Sequence, residues 1–178
     1  MVWDVSVECD RIESLLNVEE IRYINCLITE PDRLKEFEHS SDVLDPVSEG
    51  FERSPEFEVG REEDYHMIKT PGILGTLLEQ ILYHECRKSD NVLWLSSKIM
   101  SELASNQAFY EGNKRTSYAV GVLFLVKCQI KDENTDMPYI YPLLDTELTN
   151  ILSEVATRDI NNEELFNYLK KRLENVKE

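Results

Sequence analysis

The chain has 178 residues, with 35 Asp+Glu against 19 Lys+Arg and a formal net charge of −16. With 42% hydrophobic and 30% charged residues it has the composition of one globular domain, long enough to bury a core without staples. No apolar run approaches the ~18 residues of a transmembrane helix, and a pI near 4.6 argues against binding nucleic acid through a general basic surface.

Met1-Val2-Trp3-Asp4 lacks the basic and apolar regions of a signal peptide, so a cytoplasmic location with no membrane partner is the expectation. Val2 to Val7 alternates apolar and polar residues and predicts one short strand. The first helix is predicted from Val18 to about Thr29, with Asn17 as N-cap and Glu20 placed for a capping box. Ile21, Ile24 and Ile28 form its apolar face. Residues 30–65 hold 13 acids against four bases, with Pro31, Pro46, Pro55, Gly50 and Gly60. No helical face runs through them, and they are expected to form an acidic insertion: a solvated loop, or a lid or docking surface for a basic partner.

Thr70 and Pro71 begin the next helix, whose face is Ile73, Leu74, Leu77, Leu78, Ile81 and Leu82. Another starts at Ser89 or Asp90 and runs to about Ala104 through Leu95, Ile99 and Leu103. From Asn113 the chain is helical again, and Ala119 to Val126 is apolar nearly all round, which predicts a central, buried helix. Lys131 to Pro142 is expected to be a connecting loop. Asp145 caps a helix through Leu148, Ile151, Leu152 and Val155, and Asn161 caps the last one, with Glu164 three residues on. About six helices in one domain, residues 1–178, predict an all-α fold.

Cys9, Cys26, Cys86 and Cys128 contain no C-x-x-C pair, and in a cytosolic chain they are expected to stay reduced. His84 and Cys86 have a spacing zinc sites use, but no second ligand pair accompanies them, so both are taken as ordinary part-buried side chains.

The segment with chemical content is Gln107-Ala108-Phe109-Tyr110-Glu111-Gly112-Asn113-Lys114-Arg115-Thr116. A helix starting at Asn113 presents unpaired N–H groups and a partial positive charge. Gly112 lets an anion approach the backbone, Lys114 and Arg115 add full charges, and Glu111 stands where it could hold Mg²⁺ against phosphate oxygens. That describes a phosphate site, with Gly112, Asn113, Lys114 and Arg115 as its binding residues. A solvated first turn carrying Lys and Arg is the alternative.

Phe109, Glu111, Gly112, Asn113, Lys114 and Arg115 match, at the right spacing, a loop that reads His-x-Phe-x-(Asp/Glu)-(Gly/Ala)-Asn-(Gly/Lys)-Arg. In this the chain resembles the Fic/Doc family, and its death-on-curing (Doc) branch in particular. Thr116 with Leu123-Phe124-Leu125, the segments Val18-Glu19-Glu20-Ile21 and Lys69-Thr70-Pro71-Gly72-Ile73-Leu74, and the end from Leu148 through Asn161-Asn162-Glu163-Glu164-Leu165 extend the similarity over most of the chain outside 30–65.

The resemblance implies a mostly helical domain, with a small flap hairpin as a further element. It implies ATP or another nucleoside triphosphate held over this loop with Mg²⁺ on Glu111 and phosphates on the Gly112–Arg115 turn, Phe109 being structural. It also implies transfer of AMP or a phosphoryl group to a hydroxyl of a target protein, a translation factor in the Doc branch. Many Doc-type proteins are toxins neutralised by an antitoxin.

One departure matters. The position of the family's general-base His is Gln107. A carboxamide oxygen can accept a hydrogen bond from a hydroxyl but cannot take its proton near neutral pH. The expectations are therefore an impaired transferase or, alternatively, a catalytically inactive nucleotide- or protein-binding module with the same fold. Gln107 is a natural lesion, an engineered one, or part of a mechanism with less need of a base. Of the histidines His39, His66 and His84, His66 is the best substitute, since family members carry a flap in that region; the neighbouring Tyr110 is a poor base at pH 7. Ser48 to Glu52 and Ser54 to Glu58 partly fit an inhibitory Ser/Thr-x-x-x-Glu-(Gly/Asn) helix, but Arg53 and Val59 break the pattern. An RNA-directed toxin is disfavoured by the acidic balance.

Overall fold

In the computed structural model, residues 5–29, 68–69, 72–128, 143 and 146–174 are described. The acidic insertion with His39, His66 and both Ser-x-x-x-Glu matches lies outside them. So do Thr70, Pro71 and Asp145 and the 131–142 loop.

The helices are α1 (Ile12–Leu15), α2 (Val18–Thr29), α3 (Ile73–Glu79), α4 (Cys86–Lys88), α5 (Val92–Asn106), α6 (Asn113–Lys127), α7 (Thr146–Ala156) and α8 (Asn162–Glu174). A 3₁₀ turn (Cys9–Arg11) leads into α1, and a π-helical stretch (Gln80–Glu85) joins α3 to α4. Among the described residues there is no sheet, only the isolated antiparallel bridges Ser6–Asn91 and Ile68–Phe109. The protein is all-α, and no described helix is long and apolar enough to cross a membrane.

The centre is the pair α5 and α6. α5 packs on α6, α7 and α8, and α6 also packs on α2 and α7. α6 buries Thr116, Ser117, Val120, Gly121, Val122, Phe124 and Leu125, which face more than one side, as its all-round apolar sequence predicts. The two axes come close at Gly121. A Cβ there would lie 2.3 Å from Met100 Cγ, and Ser96 Oγ donates to the Gly121 carbonyl at 2.9 Å. α8 completes the core with Leu165, Leu169 and Leu173, each contributing roughly 1.5–3 kcal/mol on burial.

The caps explain where the helices start. Asn17 Oδ1 accepts from Glu20 N at 2.9 Å. The Glu20 carboxylate does not close a capping box, however; it pairs with Lys127 of α6, because a cross-helix cation lies within its reach. At α8 the box is complete: Asn161 Oδ1 accepts from Glu163 N and Glu164 N, and Glu164 Oε2 accepts from Asn161 N at 2.8 Å. α5 is capped by Asn91, one or two residues later than Ser89 or Asp90, with Trp94 N donating to its side chain at 2.9 Å.

Of the expected N-terminal strand only residues 5–7 are described; they hold the Ser6 bridge, flanked by Val7 N to Asp90 O (2.9 Å) and Val92 N to Val5 O (2.7 Å). Just beyond it the expectation of reduced cysteines is corrected. Cys9 and Cys86, 77 positions apart, form a disulfide with Cα atoms 5.8 Å apart. Cysteine spacing in the sequence carries no information about this pairing. It follows from the N-terminal segment lying along residues 90–92, directly beside α4. Cys26 and Cys128 are not disulfide-bonded.

Candidate functional site

The candidate site is the turn from Gln107 to Gly112 and the start of α6. α5 ends because Gln107 turns left-handed (φ 46°, ψ 52°). The chain then dives inward. Ala108 is fully buried and Phe109 nearly so, and Lys69 N donates to the Ala108 carbonyl at 2.7 Å beside the Ile68–Phe109 bridge. Phe109 is thus a structural anchor of the turn.

Asn113 holds the turn closed. Its Oδ1 accepts from Phe109 N and its Nδ2 donates to Phe109 O, both at 2.8 Å. The Asn113 carboxamide is thus engaged with the turn, and what the residue can offer an anion is its backbone N–H. Gly112, the residue before α6, is left-handed (φ 76°) and carries no side-chain cap. Its need for glycine has a second cause, a close neighbour: a Cβ would fall 2.6 Å from Thr29 Cγ2 and 3.1 Å from Asn25 Nδ2. α2 therefore packs directly behind the turn, and an anion would have to approach from the other side.

Sequence reasoning missed Asn25. It is fully buried, and its Nδ2 donates to the Glu111 carbonyl and to Thr116 Oγ1, both at 2.9 Å. Its Oδ1 is buried without a hydrogen-bond partner among the described residues. The signal was present: an Asn inside the apolar stripe Ile21, Ile24, Ile28 needs a buried partner. Replacing Asn25 by Leu strands the Glu111 carbonyl and the Thr116 hydroxyl. The expected loss is about 2 kcal/mol in urea denaturation; a loss under about 0.5 kcal/mol would show that these bonds do not hold the turn.

The charged groups remain outside. Lys114 and Arg115 are exposed on the first turn of α6. Arg115 Nη2 lies 3.9 Å from Glu111 Oε1, with both side chains more than half exposed, a pair that solvent screens and a ligand can readily separate. Gln107 and Tyr110 are also exposed, Tyr110 at 65%. The structure thus brings together on one turn every residue the sequence nominated: Gln107, Phe109, Glu111, Gly112, Asn113, Lys114 and Arg115. His84 is not among them. It lies on the π-helical stretch, beside a cavity lined also by Lys98 and Glu102 of α5.

No group of three or more His, Cys, Asp or Glu residues among the described ones could hold a metal ion by itself. Glu111 alone, exposed beside an uncapped helix start, suits an ion of the Mg²⁺ kind, which keeps waters and takes one or two carboxylates plus ligand phosphates. Comparison of the chain with protein-family models, with curated proteins and with solved structures returned no match.

Proposed function

We propose that the chain is a Fic/Doc-type, Mg²⁺-dependent nucleotide-binding domain built for transfer from ATP, or another nucleoside triphosphate, to a protein hydroxyl. In this reading Gln107 impairs the transfer. The observation that carries it is the start of α6: no side chain caps it, the turn before it is pinned by Asn113 and Asn25, and Lys114 and Arg115 stand exposed on its first turn. Orphan N–H groups, a helix dipole and two cations on a rigid turn favour phosphate.

The roles follow from chemistry. The N–H groups of the first turn would bind phosphate oxygens, Arg115 would grip them through two nitrogens, and Lys114 would act as a point charge. Glu111 would hold Mg²⁺, which supplies charge neutralisation at the phosphates. Gln107 could orient a target hydroxyl through its Oε1 without accepting the proton. The protein target, a translation factor in the Doc branch, and an antitoxin partner belong to the same proposal.

Arg115→Ala is expected to weaken Mg·ATP binding by at least about tenfold, since charge-assisted bonds to phosphate are among the stronger ones. Isothermal titration of both proteins checks it. Unchanged affinity in the variant, or no Mg²⁺-dependent nucleotide binding by the unaltered chain, would overturn the reading. Gln107 also favours a second reading, a non-catalytic binding module on the same fold; turnover by the unaltered chain would refute it.

A further inference from the structure

The helix from Ile73 to Lys88 changes register partway along. Leu74, Leu77, Leu78 and Ile81 are buried with helical spacing, and Cys86 is buried beyond them. The stretch Gln80–Glu85 is π-helical and ends directly at Cys86. His84 on this stretch is exposed, while Cys86 directly after it is buried and bonded to Cys9. A π stretch inside an α-helix is uncommon and has to be held by its surroundings.

The same stretch borders a cavity of about 220 Å³ between itself and α5, lined by Gln80, Ile81, His84, Glu85, Lys98 and Glu102. Lys88 donates to Glu85 at 3.0 Å, and burial opposes but does not outweigh the pull of Lys88 and Lys98 that holds the Glu85 carboxyl below its ordinary range. The disulfide ties the N-terminal segment to Cys86 at the end of the stretch, and backbone bonds tie Val7 to Asp90 and Val5 to Val92 a few residues beyond it.

We propose that the Cys9–Cys86 disulfide is a redox-operated clasp that holds the π register of residues 80–85. A dithiol reductant opens it, loosening both the N-terminal segment and the wall of the cavity beside α5. One reductant thiolate attacks the part-exposed Cys9 Sγ, the S–S bond breaks and Cys86 leaves as a thiolate. The second reductant thiol then displaces Cys9. Two electrons and two protons pass to the protein, giving two thiols and an oxidised, cyclised reductant. Neither remaining cysteine competes readily. Cys26 is buried, and burial pushes the Cys128 thiol up to about 11 against the opposite pull of Arg11. The clasp goes beyond the nucleotide site and stands whether or not that site binds nucleotide.

Hydrogen–deuterium exchange of the full chain, air-oxidised and then reduced with dithiothreitol, tests it. The expected result is at least about tenfold faster exchange in residues 5–9 and 80–88 on reduction, with α6 unchanged within about twofold. The variant Cys9→Ala is expected to show the fast pattern with or without reductant. Four results would overturn the proposal: free thiols at Cys9 and Cys86 after oxidation, unchanged exchange in 80–88, a uniform rise that includes α6, or a reductant response that persists in Cys9→Ala. The wild-type comparison decides by itself where the variant is insoluble.

Discussion

Gln107→His is expected to raise label transfer from ATP to a protein hydroxyl by ~10²–10⁴-fold, which is the usual worth of a positioned general base. That corresponds to roughly 3–5 kcal/mol of barrier. Two structural facts make the substitution a clean one. Gln107 is exposed, so the imidazole needs no repacking. It is also left-handed, a conformation that histidine tolerates better than most side chains. The turn it belongs to is fixed by residues other than itself: Asn113 on Phe109, Lys69 on Ala108 and Asn25 on Glu111. Mg·ATP affinity should therefore stay within about twofold while transfer rises, the signature of a group that acts in the transition state and not in binding. The measurement is incubation of both proteins with a host lysate, Mg²⁺ and ATP labelled at the α or the γ phosphate. Equal labelling by the two would show that Gln107 is no lesion. Binding without labelling by either would favour the non-catalytic module.

The fold was legible where local chemistry and packing agree. The apolar stripes of α2, α5, α7 and α8 face the core, and Asn17 and Asn161 cap the helices they precede. That Gln107 to Arg115 share one turn was legible too, because they are consecutive or nearly so. What stayed hidden depends on groups distant in the chain. Asn25 lies 86 positions from Glu111, and only the packing of α2 behind the turn joins them. Glu20 has the spacing of a capping box, yet Lys127 of another helix takes its carboxylate. The π stretch is invisible to periodicity because Leu74 to Ile81 already satisfy an α pattern. The disulfide was hidden for the same reason. Gly112 was legible as a glycine that a turn requires, but α2 on its other face was not.

Removing the disulfide is expected to cost about 4.5 kcal/mol of unfolding free energy, from the chain-entropy relation for a closed loop of 77 positions. This is an upper figure, because a denatured chain that stays compact loses less on cross-linking. The effect resides in the unfolded state, since the bond denies that ensemble every conformation in which residues 9 and 86 are far apart. It would arise even if the folded protein were untouched by reduction, and it is therefore separate from the looser exchange expected at residues 80–88. Urea denaturation of oxidised and reduced protein distinguishes the two effects. The cross-linked denatured state exposes less surface, so the reduced protein should unfold with a steeper dependence on urea as well as a lower midpoint. A loss near 4 kcal/mol with the steeper slope locates the effect in the denatured chain. A lower midpoint with an unchanged slope would locate it in the folded state, at the helix that Cys86 holds in its π register. Cys86 belongs to the hydrophobic core and Cys9 packs against it, but the bulk of that core is made by the apolar side chains of the helices around α5 and α6, and a domain of this size usually carries more than 5 kcal/mol. The reduced protein is accordingly expected to remain folded without denaturant, which is the condition for the bond to act as a clasp and not only as a staple.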